Sequence, residues 1–409
     1  MYLTYGTKLF KINNLSFIGN SNSGNFGALD QFSAAAVKRV LNGEPVSSDE
    51  YQKLAPLIAN NYISDKKYIL TNTEKPNINK IYFHITNSCN LNCVGCYSNN
   101  FCKNSNYKDI IRDEALFNLL EILKPNELII SGGEPLLYPN LEDFLKNCKK
   151  SNEDLFIRLI TNGTILPDNL HLILKYVDKL VISFDSFDDE HCFLRPKGLN
   201  NKIIEFVSHV KKTGFTNIIG SVTLAKSNTN YKTEYKTFFE QLNINFKYSP
   251  LICQKNYSNK DVYLDGTSYN NFIGDISYNF EIAKEAIYKL SFDNNCGFGC
   301  STLSIDSSGN VFPCYMFHYD VARITNTVIN PLNKVIEDLN NYENIINDID
   351  NIDGCSSCEY RYFCHGGCRV RSYIEYNSFN KPDPFCKTYK KNYEKMFSCF
   401  LSPFLELKK

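Results

Sequence analysis

Charge of one sign is missing from this chain: 44 Lys and Arg residues are balanced by 44 Asp and Glu. Nucleic-acid binding leans on a basic surface, so no nucleic-acid partner is expected. Long apolar runs are also missing, and none approaches the roughly 20 residues that span a bilayer, so no membrane partner is expected. The segment Met1 to Gly19 alternates polar and apolar residues and lacks the apolar stretch of a secretion signal. Tandem repeats are absent. These absences place the chain in the cytosol, where thiols stay reduced.

Cysteine, by contrast, is abundant, with 16 in 409 residues. In a reducing compartment that number points to metal rather than to disulfides. Cys89, Cys93 and Cys96 form one group. Cys296, Cys300, Cys314, Cys355, Cys358, Cys364, Cys368 and Cys386 form a second. Cys102, Cys148, Cys192, Cys253 and Cys399 are scattered and read as small buried hydrophobes or surface thiols.

Hydrophobic residues make up 43% of the chain, and the length allows two or three domains with a core. Residues 1–75 read as strands Tyr2–Ile12 and Leu15–Ile18 followed by two helices. The first helix, near Leu29–Leu41, carries Phe32, Ala35, Ala36, Val37, Val40 and Leu41 as its apolar positions, and the second begins at Ser48. A polar linker falls at 71–79. Over 76–250, six strands alternate with helices: Ile81–Thr86, Glu127–Ser131, Leu155–Thr161, Lys179–Phe184, Asn217–Leu224 and Asn245–Tyr248. That alternation implies an α/β fold with a parallel sheet, open or curled into a partial (β/α)6 TIM-like barrel, with ligands at the C-terminal ends of the strands. Residues 251–295 bridge to a Cys-rich zone at 296–390, which includes a hairpin of Leu303–Ile305 and Val311–Phe312. A helix at 391–409 ends the chain, with Met396, Phe397, Phe400 and Leu401 as its core face.

The first cysteine group lies just after the first of these strands at C-x3-C-x2-C spacing. Three thiolates fall short of the four ligands of a structural zinc site, unless a fourth is borrowed. They suit a four-iron cluster with one iron left open. Further motifs stand at the later strand ends. Gly132-Gly133-Glu134-Pro135 follows the second strand, Thr161-Asn162-Gly163 the third, and Ser183-x-Asp185 the fourth; His191 and Arg195 come next at H-x3-R spacing. Tyr97 directly follows Cys96. Over residues 80–250 this set resembles the radical S-adenosylmethionine (SAM) superfamily. The resemblance implies that the open iron binds the methionine amino and carboxylate groups and that the reduced cluster breaks a carbon–sulfur bond. It implies that Gly132, Gly133 and Glu134 hold the amino group, with the glycines allowing close backbone approach to the ligand. By the same resemblance Asn162, Ser183 and Asp185 contact the cofactor, Arg195 forks its carboxylate and Tyr97 lies by the adenine.

The second cysteine group resembles the SPASM extension of that superfamily. Cys296 precedes Gly309 by twelve intervening residues, and Cys355, Cys358, Cys364 and Cys368 follow at C-x2-C-x5-C-x3-C. The resemblance implies that Cys296, Cys300, Cys314 and Cys368 hold one auxiliary four-iron cluster, and that Cys355, Cys358, Cys364 and Cys386 hold another. Three [4Fe-4S] clusters and SAM are then the expected cofactors. Two four-thiolate zinc sites are the rival.

SPASM enzymes mostly modify ribosomally made peptides, and the first 75 residues resemble the small winged-helix domains that bind leader peptides. The expected function is that of a peptide maturase, forming a thioether crosslink first and a carbon–carbon crosslink next. Its expected partners are a precursor peptide with a leader and an electron donor such as flavodoxin or ferredoxin. Anaerobic sulfatase-maturing enzymes, which oxidise Cys or Ser to formylglycine, are the alternative; they carry Asp after the cysteine at position 314, where this chain has Tyr315. Tyr315, His318 and Asp320 are the candidates for proton handling. A non-enzymatic iron–sulfur electron carrier would keep the cysteines but has no use for Gly132–Pro135, Ser183 and Arg195.

Overall fold

The computed structural model describes residues 1–67, 77–98, 113–192, 194–252, 262–274, 276–293, 296–319, 322–342 and 349–406. Cys102, Cys253, Asp320 and part of the expected linker, 71–76, lie outside the described residues. Near the N-terminus, Gly6 takes φ +79° and splits the expected first strand into β1 (Tyr2–Leu3) and β2 (Thr7–Ile12). The Asn13-Asn14 turn, with φ of +48° and +65°, then folds β3 (Leu15–Asn20) back antiparallel on β2. A third strand that sequence reading missed, β4 (Phe26–Leu29), pairs with β3. Two helices follow. Asp30 caps α1 (Gln31–Asn42), and Ser47 caps α2 (Ser48–Ala59), which begins at Ser48 as expected, in a capping box with Glu50. β5 (Ile63–Ser64) returns to pair with β1. The buried face of α1 is Ser33, Ala34, Ala36, Val37 and Val40, whereas Phe32, placed on that face by periodicity, is 78% exposed.

Next come β6 (Lys80–Thr86), α3 (Asp113–Leu123), β7 (Glu127–Gly132), α4 (Leu141–Ser151), β8 (Phe156–Thr161), α5 (Leu170–Ile173), β9 (Lys179–Ser183), α6 (Asn200–Lys212), β10 (Ile218–Leu224), α7 (Lys232–Gln241) and β11 (Asn245–Pro250). The six strands are parallel, each hydrogen-bonded to the next in chain order. This is the β/α alternation expected from sequence. One register of each strand, such as Ile81, Phe83 and Ile85 of β6 or Leu128 and Ile130 of β7, is buried in the main core with Leu119, Leu120 and Phe144 of the helices. The other register of β6 holds Lys80, Tyr82, His84 and Thr86.

After α8 (Gly266–Ile273) and α9 (Phe280–Tyr288) come β12 (Thr302–Ile305), β13 (Asn310–Phe312) and β14 (Thr325–Asn326). The expected hairpin is present, turning at Gly309 with φ +79°. It extends the parallel sheet instead of standing apart with the Cys-rich segment: β12 pairs parallel to β6 and completes a nine-stranded sheet. α10 (Leu332–Asn341), α11 (Arg361–Cys364), α12 (Arg369–Tyr376) and α13 (Cys386–Glu406) finish the chain.

Contacts divide the molecule into two units. One is Glu74–Phe272 with Gly297–Asn344, the sheet just described. The other is Met1–Thr73 with Ile273–Cys296 and Ile345–Lys409. The second unit has an aromatic core in which Phe10 meets Phe17 at 5.7 Å and both Phe292 and Tyr362 at 5.3 Å. Met396, Phe397 and Leu401 of α13 are buried, as the sequence pattern expects. No helix among the described residues is long and apolar enough to cross a membrane.

Candidate active site

At the C-terminal ends of the parallel strands lies a cavity of about 170 Å³, lined by Cys89, Cys93, Cys96 and Tyr97 and by Gly132, Gly133, Glu134, Asn162, Ser183, Asp185 and Arg195. The three thiols and all eight expected cofactor contacts therefore meet in one place. His191 does not join them. It pairs with Asp188 at 2.8 Å and stacks on Phe187, holding the turn that leads to Arg195.

The two glycines, besides lining the cavity, let another stretch of backbone approach closely. Gly132 takes φ +137°, and a Cβ there would meet the Thr86 carbonyl oxygen at 2.4 Å. A Cβ on Gly133 would meet the Ser88 carbonyl oxygen at 2.2 Å. The Gly133 amide donates to the Thr86 carbonyl at 2.7 Å, and the Glu134 amide to the Ser88 carbonyl at 2.8 Å. What approaches so closely is the start of the cysteine loop, which these bonds clamp to the end of β7.

Glu134 extends the clamp to the next strand. Its carboxylate, fully buried, accepts from Thr161 Oγ1 and the Asn162 amide at 2.7 Å and from the Leu136 amide at 3.1 Å. Burial raises its pKa, and these donors work in the opposite direction. Asn162 Nδ2 in turn donates to Asn90 Oδ1 of the cysteine loop at 2.8 Å. Arg195 donates to Asp185 at 2.5 Å and to the Asn162 carbonyl at 3.3 Å, and the Val94 amide donates to the neighbouring Leu194 carbonyl at 2.7 Å. Burial pushes the Cys93 thiol up to about 12, while the Arg195 cation pulls it down.

Beside this cavity is an aromatic cluster that the sequence reading only partly identified. Tyr97 exchanges a hydrogen bond with Ser131 at 2.8 Å and meets Tyr315 edge-on at 5.7 Å. Tyr315 stacks on Tyr82 at 4.1 Å. His318 hydrogen-bonds Ser304 at 2.7 Å, stacks on Phe312 at 4.4 Å and meets His84 at 4.8 Å. Burial holds His84 near pKa 4 and lowers His318 well below the ordinary range, so both imidazoles are neutral at pH 7. Tyr82 and His84 had a signal in the sequence: polar residues alternate with Ile81, Phe83 and Ile85 along β6.

Among the remaining cysteines, Cys355, Cys358, Cys364 and Cys386 line a second cavity, and Cys368 is not in its wall. Burial pushes Cys355 up to about 11 and Cys364 up to about 12, so without a metal these thiols stay protonated. A coordinating metal deprotonates a thiol outright. Among the described residues, no three His, Cys, Asp or Glu side chains close on a single ion. Of the other set, Cys300 and Cys314 belong to the sheet unit, where the Gly299 amide donates to the Pro313 carbonyl at 3.0 Å and joins their two loops. Cys296 and Cys368 belong to the other unit.

Residues 83–231 match the Radical SAM superfamily. The chain carries a radical SAM domain. It is 25% identical over 353 residues to a cysteine-type anaerobic sulfatase-maturating enzyme of Clostridium perfringens, covering 76% of this chain and 94% of that protein. Its fold is similar to native anSMEcpe with bound AdoMet, with a TM-score of 0.62 and 18% identity over 80% of this chain and 99% of that one. It is also similar to Streptococcus suis SuiB bound to precursor peptide SuiA, with a TM-score of 0.59 and 16% identity over 93% of this chain and 98% of that one. The chain is an enzyme with a radical SAM domain at residues 83–231, and one of the solved structures similar to it is bound to a precursor peptide.

Proposed function

We propose that this radical SAM enzyme is a peptide maturase that abstracts hydrogen from a ribosomally made peptide and forms a crosslink, a thioether first and a carbon–carbon bond next. The observation that carries the reading is the convergence of three thiols, the Gly132–Glu134 clamp, Asn162, Ser183, Asp185 and Arg195 on one cavity at the strand ends. Cys89, Cys93 and Cys96 would hold a [4Fe-4S] cluster, which would supply the electron for reductive cleavage of SAM. Around it, Glu134 fixes the strand ends and Arg195 sets a cation beside the thiols. Tyr97 forms one wall of the cofactor cavity, and Tyr315 and His318 flank it to handle a substrate proton.

The second unit supports a peptide partner. A groove of about 830 Å³ runs along β4, one edge strand of the N-terminal sheet, and Phe17, Phe26, Phe32, Tyr288 and Leu401 line it. An extended leader can add to such an edge. We assign the eight other clustered cysteines to two auxiliary four-iron clusters, with Cys296 and Cys300 both serving as ligands. We place the enzyme in a reducing cytosol with a flavodoxin or ferredoxin as donor.

Sulfatase maturation is the second reading, favoured by the near full-length match to the C. perfringens enzyme. Tyr315 stands against it, since a phenol stacked on Tyr82 replaces the expected carboxylate. Anaerobic incubation with SAM, dithionite and the short Cys-containing peptide encoded nearest the gene separates the two. A crosslink removes two hydrogens and consumes the thiol in a new carbon–sulfur bond; conversion of that Cys to an aldehyde, with loss of its sulfur, would favour the second reading.

A further inference from the structure

Arg361 lines the cavity formed by Cys355, Cys358, Cys364 and Cys386, Arg369 and Arg371 stand on α12 just after it in sequence, and two of the three arginines have carboxylate partners. Arg361 pairs with Asp350 at 2.5 Å, and Arg371 pairs with Asp383 at 2.6 Å. Arg369 is different. It is 1% exposed, and it donates only to backbone carbonyls: Phe379 at 2.8 Å, Lys381 at 2.9 Å, and Gly366. Its Nε has no hydrogen-bond partner, and among the described residues no carboxylate pairs with it.

A buried guanidinium without a counter-charge is strongly unfavourable, and carbonyl dipoles bring no net negative charge to offset it. Its surroundings indicate where the missing charge belongs. Gly366, whose carbonyl Arg369 holds, lines the same cavity as the four thiols, and a Cβ on Gly366 would lie 3.2 Å from the guanidinium. The counter-charge is thus expected just across the Gly366 backbone, in the thiol cavity. Four thiolates around a four-iron core carry a net negative charge that grows on reduction, and charge near such a cluster helps set its potential.

We propose that Arg369 is the counter-charge of a cluster held by Cys355, Cys358, Cys364 and Cys386, and that it raises the reduction potential of that cluster. This rests on the assignment of these thiols made above. The rival role is a structural staple, in which Arg369 joins Gly366 to the Phe379–Lys381 segment and its charge is incidental. Arg369→Gln keeps hydrogen-bond donors and loses the charge; Arg369→Lys keeps the charge.

The test is a redox titration followed by electron paramagnetic resonance, in protein carrying Cys89→Ala, Cys93→Ala and Cys96→Ala so that only auxiliary signals remain. In Arg369→Gln, one of the two potentials is expected to fall so that the ratio of oxidised to reduced cluster rises about tenfold at fixed potential, equal to about 59 mV for one electron. Arg369→Lys is expected to stay near the parent. Full iron loading with unchanged potentials in Arg369→Gln overturns the proposal. Thermal melting covers the case in which Arg369→Gln loads poorly. A counter-charge makes the substitution harmless or stabilising in cluster-free protein; equal destabilisation of loaded and cluster-free protein marks a staple and overturns the proposal. If Cys358→Ala binds as much iron as the parent, the thiols hold no cluster and their assignment falls together with the role of Arg369. If Cys358→Ala loses iron but Arg369→Gln moves no potential, only the counter-charge falls.

Discussion

Arg195 donates from Nε to the Asp185 carboxylate at 2.5 Å, and Asp185 takes a second hydrogen bond from the Thr223 amide at 3.0 Å. The ion pair is nearly buried and ties the segment after β9 to β10 beside the three thiols. Removing one partner leaves the other charge buried and unpaired. Asp185→Asn should therefore cost about 3–5 kcal/mol of stability in a denaturant titration. Arg195→Lys should keep part of that stability yet bind SAM more weakly, because an ammonium cannot reproduce the guanidinium fork. Unchanged stability in Asp185→Asn would show that the pair does not hold the site.

Gly133→Ala sets a Cβ 2.2 Å from the Ser88 carbonyl oxygen and 2.6 Å from its carbon, both backbone atoms that cannot swing aside. It should displace the cysteine loop and lower the iron retained after anaerobic reconstitution by about four per chain. Gly27→Ala, with nothing within 4 Å of the new Cβ, should retain all of its iron. Equal iron content in the two variants would contradict the clamp.

His84 is buried, with its pKa lowered to about 4 by burial. The folded value lies below the unfolded value of about 6.5, so stability is full above pH 6.5 and is lost as pH falls toward 4. The loss attributable to His84 is about 3 kcal/mol, and His318, lowered in the same direction, adds to it. His84→Phe should flatten the stability profile between pH 4 and 6.5, provided the larger ring packs. The same slope in His84→Phe and the parent would place the titrating group elsewhere.

Deleting residues 1–75 should leave SAM cleavage intact and weaken binding of a leader-bearing peptide at least tenfold by fluorescence anisotropy, if the β4 edge captures the leader. Equal affinity in the truncated and full chains would assign the N-terminal elements to stability alone.

Much of this fold could be read from period-two and period-3.6 patterns. All six parallel strands were legible because one buried register against helices leaves runs such as Ile81, Phe83 and Ile85. β4 was not, because its sequence Phe-Gly-Ala-Leu is short and weakly alternating, and only pairing with β3 makes it a strand. Phe32 misled because an apolar residue near a helix start fits the period whether or not a partner covers it. The site motifs were legible by position, but their local work was not. The packing of Gly133 on Ser88, the Thr161 and Asn162 donors to Glu134 and the meeting of His84 with His318 all depend on contacts between residues far apart in sequence. Arg369 was invisible for the same reason, since its lack of a carboxylate is a property of the folded surroundings.

Release of 5′-deoxyadenosine decides whether the three thiols of the strand-end cavity serve radical chemistry. Anaerobically reconstituted protein, reduced with dithionite in the presence of SAM, should release 5′-deoxyadenosine. The variant with Cys89, Cys93 and Cys96 all changed to Ala should release none, while Cys355→Ala with Cys358→Ala should retain uncoupled cleavage. Release by the triple variant at the parent rate, or none from fully loaded parent protein, would contradict the account.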